Sequence, residues 1–181
     1  GGLVSQLCGE PHFRRRRRES RRNRAAILLQ QHRRGSDCRF VAGVGSGYIG
    51  LELSHRDLNG PLLVKNCEVI GFRRGITAAR AVNSQVFEHI ALRGQTEIGF
   101  SNEGQPISIR GLTSHNTVPA LGTYGTLLLT EAVLTGAGHA ANAPAIINYN
   151  FGRIYLRDVR TSGYKRVLAD MPTPDFVAAY R

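Results

Sequence analysis

The octapeptide VKNCEVIG, residues 64–71, places apolar side chains at Val64, Cys67 and Val69, spaced three and then two, and closes on Gly71. Helices repeat apolar positions at three and four, strands at two, so neither element alone accounts for it. Eight-residue windows starting at Phe87, Ile109, Leu129 and Leu156 read FEHIALRG, IRGLTSHN, LTEAVLTG and LRDVRTSG, and with the first they form five copies of one pattern. The starts are 23, 22, 20 and 27 residues apart. The first position is always large and apolar; the fourth is Cys67, Ile90, Leu112, Ala132 and Val159; the eighth is Gly71, Gly94, Asn116, Gly136 and Gly163.

Strict alternation would send the first and fourth side chains to opposite faces, yet both are apolar. A sharp corner at the second and third positions turns both inward, and a residue such as Asn66 suits a corner. Glycine and asparagine take positive φ most readily, so the eighth position is expected to be an obligatory turn. A further apolar residue follows in each copy, at Ile76, Ile98, Leu121, Ile146 and Leu168, which supplies a third short strand. Three short strands in a period this long, with no helix-length segment between them, describe one coil of a parallel β-helix. Coils stack about 4.8 Å apart, so equivalent positions form ladders along the axis. Residues 40–63 are expected to make a sixth, degenerate coil, with Val41 in the position of Val64.

The expected fold class is therefore all-β: a right-handed parallel β-helix of about five to six coils over residues 40–170. It follows a basic, disordered arm (1–39) and precedes a C-terminal tail or cap (171–181). Residues 1–40 hold eleven arginines against Glu10, Glu19 and Asp37, and carry +8 of the formal charge of +11. The basicity belongs to the arm, which reads either as a solvated tail or as an electrostatic grip on nucleic acid or an anionic surface. Ser20-Arg21-Arg22 has the look of a twin-arginine export signal, but the apolar stretch that follows is too short for one. The start at Gly-Gly and the single methionine at Met171 point to a processed product, a fragment or a misread reading frame. No apolar run reaches the roughly 18 residues that a membrane-spanning helix requires. The three cysteines, Cys8, Cys38 and Cys67, make neither a disulfide framework nor a CxxC metal pattern.

In GPLLVKNCEVIGFRRGI (60–76), AVNSQVFEHIALRGQ (81–95), NEGQPISIRGLTSHNTVPA (102–120) and RDVRTSGYKRVLA (157–169), the chain resembles the pectate-lyase superfamily of right-handed parallel β-helices, in particular its glycoside-hydrolase-like branch, over about residues 47–170. The resemblance implies an outer groove that binds an extended polysaccharide, and an extracellular or cell-surface setting. It does not imply which bond is cut. Glycoside hydrolysis uses two carboxylates about 5 to 10 Å apart. The third repeat position reads Asn66, His89, Gly111, Glu131 and Asp158, so Glu131 and Asp158 fall on adjacent coils as candidate catalytic acids; the plain alternative is that both solvate a bend. The second position reads Lys65, Glu88, Arg110, Thr130 and Arg157. Arg110 and Arg157 are candidates for holding an acidic sugar chain, with His89 beside them; cross-strand charge pairing explains the same row. The lyases of the superfamily use clustered aspartates to hold calcium, whereas the five here are dispersed. The NxD, DD, GHG and RxK set of polygalacturonases is missing too. No metal and no cofactor is expected, and Cys67 occupies an inward slot as an inert thiol.

One competing pattern is Gly45-Ser46-Gly47-Tyr48-Ile49-Gly50, which satisfies GxGxxG and looks like the nucleotide-binding turn of flavoprotein disulfide reductases. It would need a strand over 39–44, a helix over 51–58 and Glu68 as the ribose-binding acid. From residue 60 onward the repeat replaces the βα alternation such a domain requires. Two main functional readings remain: a carbohydrate-active β-helix enzyme, glycosidase rather than lyase, and a non-catalytic β-helix that binds glycan or serves as a structural element.

Overall fold

The computed structural model describes residues 5–8, 34–54, 61–79 and 84–172. Its strands are β1 (Ser5–Cys8), β2 (Arg34–Ser36), β3 (Cys38–Val41), β4 (Gly47–Leu53), β5 (Leu62–Ile70), β6 (Phe72–Ala79), β7 (Gln85–Arg93), β8 (Ile98–Glu103), β9 (Ile107–Asn116), β10 (Leu121–Thr123), β11 (Leu127–Gly136), β12 (Pro144–Tyr149), β13 (Ile154–Ser162) and β14 (Arg166–Met171). From β3 onward the strands alternate between two parallel sheets. One runs β3-β5-β7-β9-β11-β13 and the other β4-β6-β8-β10-β12-β14. The chain therefore circles an axis, and the result is an all-β parallel solenoid of about five turns. No helix among the described residues is long and apolar enough to cross a membrane.

The repeat sets the register. Val64, Phe87, Ile109, Leu129 and Leu156 are successive partners along the first sheet. The corner between the first and fourth positions is one left-handed residue. Asp37, Asn66, His89, Gly111, Glu131 and Asp158 have φ of 55°, 52°, 52°, 72°, 56° and 55°. A single positive φ inside an extended segment swings the strand, so that Val64 before it and Cys67 after it both enter the buried core. The second sheet contributes Leu51, Ile76, Phe100, Leu121, Ile146 and Leu168 as one ladder. Phe87 and Phe100 meet edge to face across the core, with ring centroids 4.9 Å apart. Some polar positions also pair along the ladder: Asn102 Nδ2 donates to Thr123 Oγ1 at 2.9 Å, and Asn148 Nδ2 to Asp170 Oδ1 at 2.7 Å.

Four expectations are corrected. Val41 does not match Val64: it lies beside Ile70, and Gly35 takes the place beside Val64, because the span from the first rung to the second is longer than the later repeats. Phe100, not Ile98, stands in the third apolar ladder; Ile98 pairs with Arg74 on the outer side. The eighth-position turn is left-handed at Gly71, Gly94 and Gly163, with φ of 79°, 67° and 71°, but not at Asn116 or Gly136. At those two sites the strands continue to the eighth residue; after Asn116 the chain bends over 117–120, and after Gly136 it enters a short 3-10 turn at Gly138–Asn142. Asn116 instead turns its side chain inward, where Oδ1 accepts from the Gln95 backbone N–H at 2.8 Å. Finally, the GxGxxG segment opens no helix. Gly47–Leu53 is a strand paired with β6, and its glycines leave room for core rings and branches: a Cβ at Gly47 would strike Phe72, and one at Gly50 would strike Val69. Glu68, the would-be ribose ligand, accepts from Arg39 Nε at 2.9 Å and Arg93 Nε at 3.2 Å.

Within the span read as an arm, β1 lies antiparallel against β3, and β2 lies parallel to β5. Residues 9–33, including most of the arginine run, are outside the described residues, as is the tail from 173.

Candidate functional site

The five residues singled out from sequence all lie on the outer side of the first sheet, at or beside its corner. The second-position row Lys65, Glu88, Arg110, Thr130 and Arg157 is in register from β5 to β13. Arg110 Nε donates to Glu131 Oε2 at 3.0 Å, and Arg157 Nε lies 3.6 Å from Asp158 Oδ2. His89 sits at the corner one rung away, against Gly111, where a Cβ would come 2.8 Å from its Nδ1. The structure thus joins Arg110 to Glu131 and Arg157 to Asp158, while Glu131 and Asp158 occupy successive left-handed corners. The hydrogen bond from Arg110, helped by the charges of Arg110, Arg157 and His89, holds the Glu131 carboxyl below the usual glutamate range. The same bond pushes the Arg110 guanidinium up. In a two-carboxylate scheme Glu131 would therefore be the ionised partner, not the proton donor.

A second arrangement, which the sequence reading missed, lies on the outer side of the second sheet. Alternation about the Ile76–Phe100–Leu121–Ile146 ladder turns Thr77, Ser101, Gly122 and Ile147 outward in one row. Yet Thr77 is only 4% exposed, and Ser101 and Ile147 only 8%. Taller neighbours on the same face therefore cover this row. On one side stand Arg74 and Ile98, which are register partners. On the other stand Glu103, Tyr124 and Tyr149. Over Gly122 the two sides meet: a Cβ there would come 2.7 Å from Ile98 Cδ1 and 3.0 Å from Tyr149 Cε2.

Aromatic and charged groups crowd this face. Tyr124 and Tyr149 stack with centroids 4.4 Å apart and planes within 11°. At the other end, Arg73 and Arg74 lie over the Tyr48 ring at 5.3 and 5.8 Å, within cation–π range. Arg74 also donates to Glu97 Oε2 at 3.0 Å and Glu103 Oε1 at 3.4 Å, and Arg73 pairs with Glu97. Burial pushes the Tyr124 and Tyr149 phenols up; the charge of Glu103 adds to the first, and the neighbouring Tyr124 to the second. The buried Thr77 hydroxyl has no hydrogen-bond partner.

The signal for this face was present in the repeat. Tyr124 and Tyr149 each stand three residues after a third-ladder position, Leu121 and Ile146. An eight-residue window stops short of them. Among the described residues no cluster of His, Cys, Asp and Glu has the arrangement of a metal site. No family model, curated protein or solved structure matches the chain.

Proposed function

We propose that this chain is a polysaccharide-binding β-helix protein of the kind its resemblance to the pectate-lyase superfamily implies, and that an extended, neutral glycan lies in a trough along the outer face of the second sheet. One observation carries the reading: Tyr124 and Tyr149 stack on that face, beside the row of Thr77, Ser101, Gly122 and Ile147. Tyrosine offers an apolar ring face with a polar tip, the combination that receives the C–H face of a pyranose while hydrogen-bonding its hydroxyls. The rungs beneath recur about every 4.8 Å, so a linear polymer meets the same kind of surface repeatedly. Arg73 and Arg74 are matched by Glu97 and Glu103, which leaves the channel nearly neutral and favours an uncharged sugar chain over a polyuronate.

Binding without cleavage is the favoured form of this proposal, because Glu131 is tied to Arg110 and the corner residues lie on the other sheet from the trough. A panel of neutral and acidic polysaccharides, scored for retention in affinity electrophoresis and for release of reducing ends, tests it. Neutral glycan should retard the protein without releasing products, and Tyr124→Ala with Tyr149→Ala should weaken binding at least about tenfold, equivalent to roughly 1.4 kcal/mol. Retardation unchanged in the double variant, with its circular dichroism intact, refutes the trough. The catalytic reading, in which Glu131 and Asp158 act from successive corners with Arg110, Arg157 and His89 as substrate contacts, returns if products appear and are lost in Glu131→Gln and Asp158→Asn.

A further inference from the structure

The three cysteines of the chain, far apart in sequence, fall at one level across neighbouring strands. β1 runs antiparallel to β3 with Cys8 opposite Cys38. β3 runs parallel to β5 with Arg39 beside Glu68, which sets the preceding residues, Cys38 and Cys67, side by side. Cys38 and Cys67 each follow a left-handed corner, Asp37 and Asn66, and those corners are themselves joined: Asn66 Nδ2 donates to Asp37 Oδ1 at 3.1 Å. Both thiols point into the core, 3% and 2% exposed. In-register neighbours on adjacent parallel strands have Cα atoms about 4.8 Å apart, inside the roughly 4.4 to 6.8 Å that a disulfide spans. A hydrogen bond between the two thiols lowers the Cys67 group from its ordinary value, against the effect of burial.

We propose that Cys38 and Cys67 are a redox-sensitive pair whose oxidation ties the first coil of the solenoid to the second. Local opening of the first coil gives a small disulfide oxidant access to the buried thiols. The Cys67 thiol loses its proton to solvent, and its sulfur attacks one sulfur of oxidised glutathione. That S–S bond breaks, and the first glutathione leaves as a thiolate that takes up a proton. The Cys38 sulfur, after losing its own proton, attacks the mixed disulfide, forms the Cys38–Cys67 bond and releases the second glutathione. Two cysteine thiols are oxidised and one molecule of disulfide oxidant is reduced. The bond closes a long loop that includes β4 and its flanking turns, so it restricts the unfolded chain across the join between the first coil and the second.

The test uses the full chain, reduced, desalted and then equilibrated with oxidised glutathione. Thiols are counted in guanidinium, peptides are mapped without reductant, and melting is followed with and without dithiothreitol. The expected result is loss of two thiols, a peptide pair linking Cys38 to Cys67, and a rise in melting temperature of several degrees that dithiothreitol reverses. The link should form equally in Cys8→Ser and be lost in Cys38→Ala and in Cys67→Ala. A link from Cys8 to either partner, a persistent glutathione adduct in place of the internal bond, three titratable thiols after oxidation, or a Cys38–Cys67 link that leaves melting unchanged would each overturn the proposal.

Discussion

Gly71 and Gly94 occupy the same repeat position on successive coils, and both are left-handed, with φ of 79° and 67°. Their surroundings differ. A Cβ built on Gly71 would run into the backbone carbonyl oxygen of Ala42, whereas one on Gly94 would find its nearest neighbours, the N and Cα of Gly71, at 3.9 and 4.0 Å. Alanine at either site bears the left-handed cost of about 1 to 2 kcal/mol, partly offset by a stiffer unfolded chain. Only Gly71→Ala must also displace backbone, which adds about 1 to 3 kcal/mol by analogy with overpacking. The obstructing atom belongs to the β3–β4 connection, where Ala42 N donates to Ile70 O at 3.0 Å and Gly45 N to Gly71 O at 2.7 Å, so little slack is available.

The expectation is a loss of about 1 kcal/mol for Gly94→Ala and about 2 to 5 kcal/mol for Gly71→Ala, measured by urea unfolding with a common m-value. Gly111→Ala should fall between them, because the group in its way is the His89 side chain, which can rotate. Equal losses at Gly71 and Gly94 would show that conformation alone governs the turn, and that the close approach of the first coil to the second is wrong.

Two titrations give further checks. Burial pushes the Tyr164 phenol up to about 12, and its hydroxyl donates to the Val118 carbonyl at 3.1 Å. A raised folded pKa means that the protonated phenol's contribution is complete below the unfolded value of about 10 and declines as pH climbs from there to about 12. Ultraviolet titration should resolve a late tyrosine component that is smaller by one group in Tyr164→Phe; ionisation of every tyrosine together near about 10 would contradict the packing. Glu131 has the opposite sign: its depressed carboxyl contributes above the unfolded glutamate value, and that contribution is lost as pH falls through the folded one. Carbon-detected NMR should place its midpoint below that of an exposed glutamate and return it upward in Arg110→Ala; no movement in the variant would break the pairing.

The inner side of this fold was legible because burial enforces it. Val64, Phe87, Ile109, Leu129 and Leu156 must all be large and apolar, and the left-handed corner tolerates a short list of residues, so both recur visibly. Register of the first coil was not legible. Gly35 replaces an apolar side chain there, and without it Val41 offered the nearest match to the expected spacing. Ile98 was misplaced for a similar reason: an isoleucine and a phenylalanine two residues apart are both plausible core members, and only strand pairing decides that Phe100 enters. The candidate acids were found because corners are regular, but their partners were not, since Arg110 reaches Glu131 from the preceding rung. The tyrosine face was not legible because the row of Thr77, Ser101 and Gly122 beside it has no signature of its own.

The contrast between the two outer faces also explains why the proposed binding surface differs from the one first suggested by charge. On the first sheet, the charged side chains complete one another between rungs. Lys65 meets Glu88 at 3.2 Å, Arg110 meets Glu131 at 3.0 Å, and Glu68 bridges Arg39 and Arg93. Such pairs favour one stacking register, because sliding a coil along its neighbour would oppose like charges. A ligand bound there would have to break bonds that hold adjacent coils in line. On the second sheet the outer contacts also run between rungs, because Arg74 reaches Glu97 and Glu103 and Tyr124 stacks on Tyr149. What sets this face apart is its chemistry: beside the ion pairs it carries ring surface, and a tyrosine edge can receive a sugar without parting the ion pairs that join the rungs.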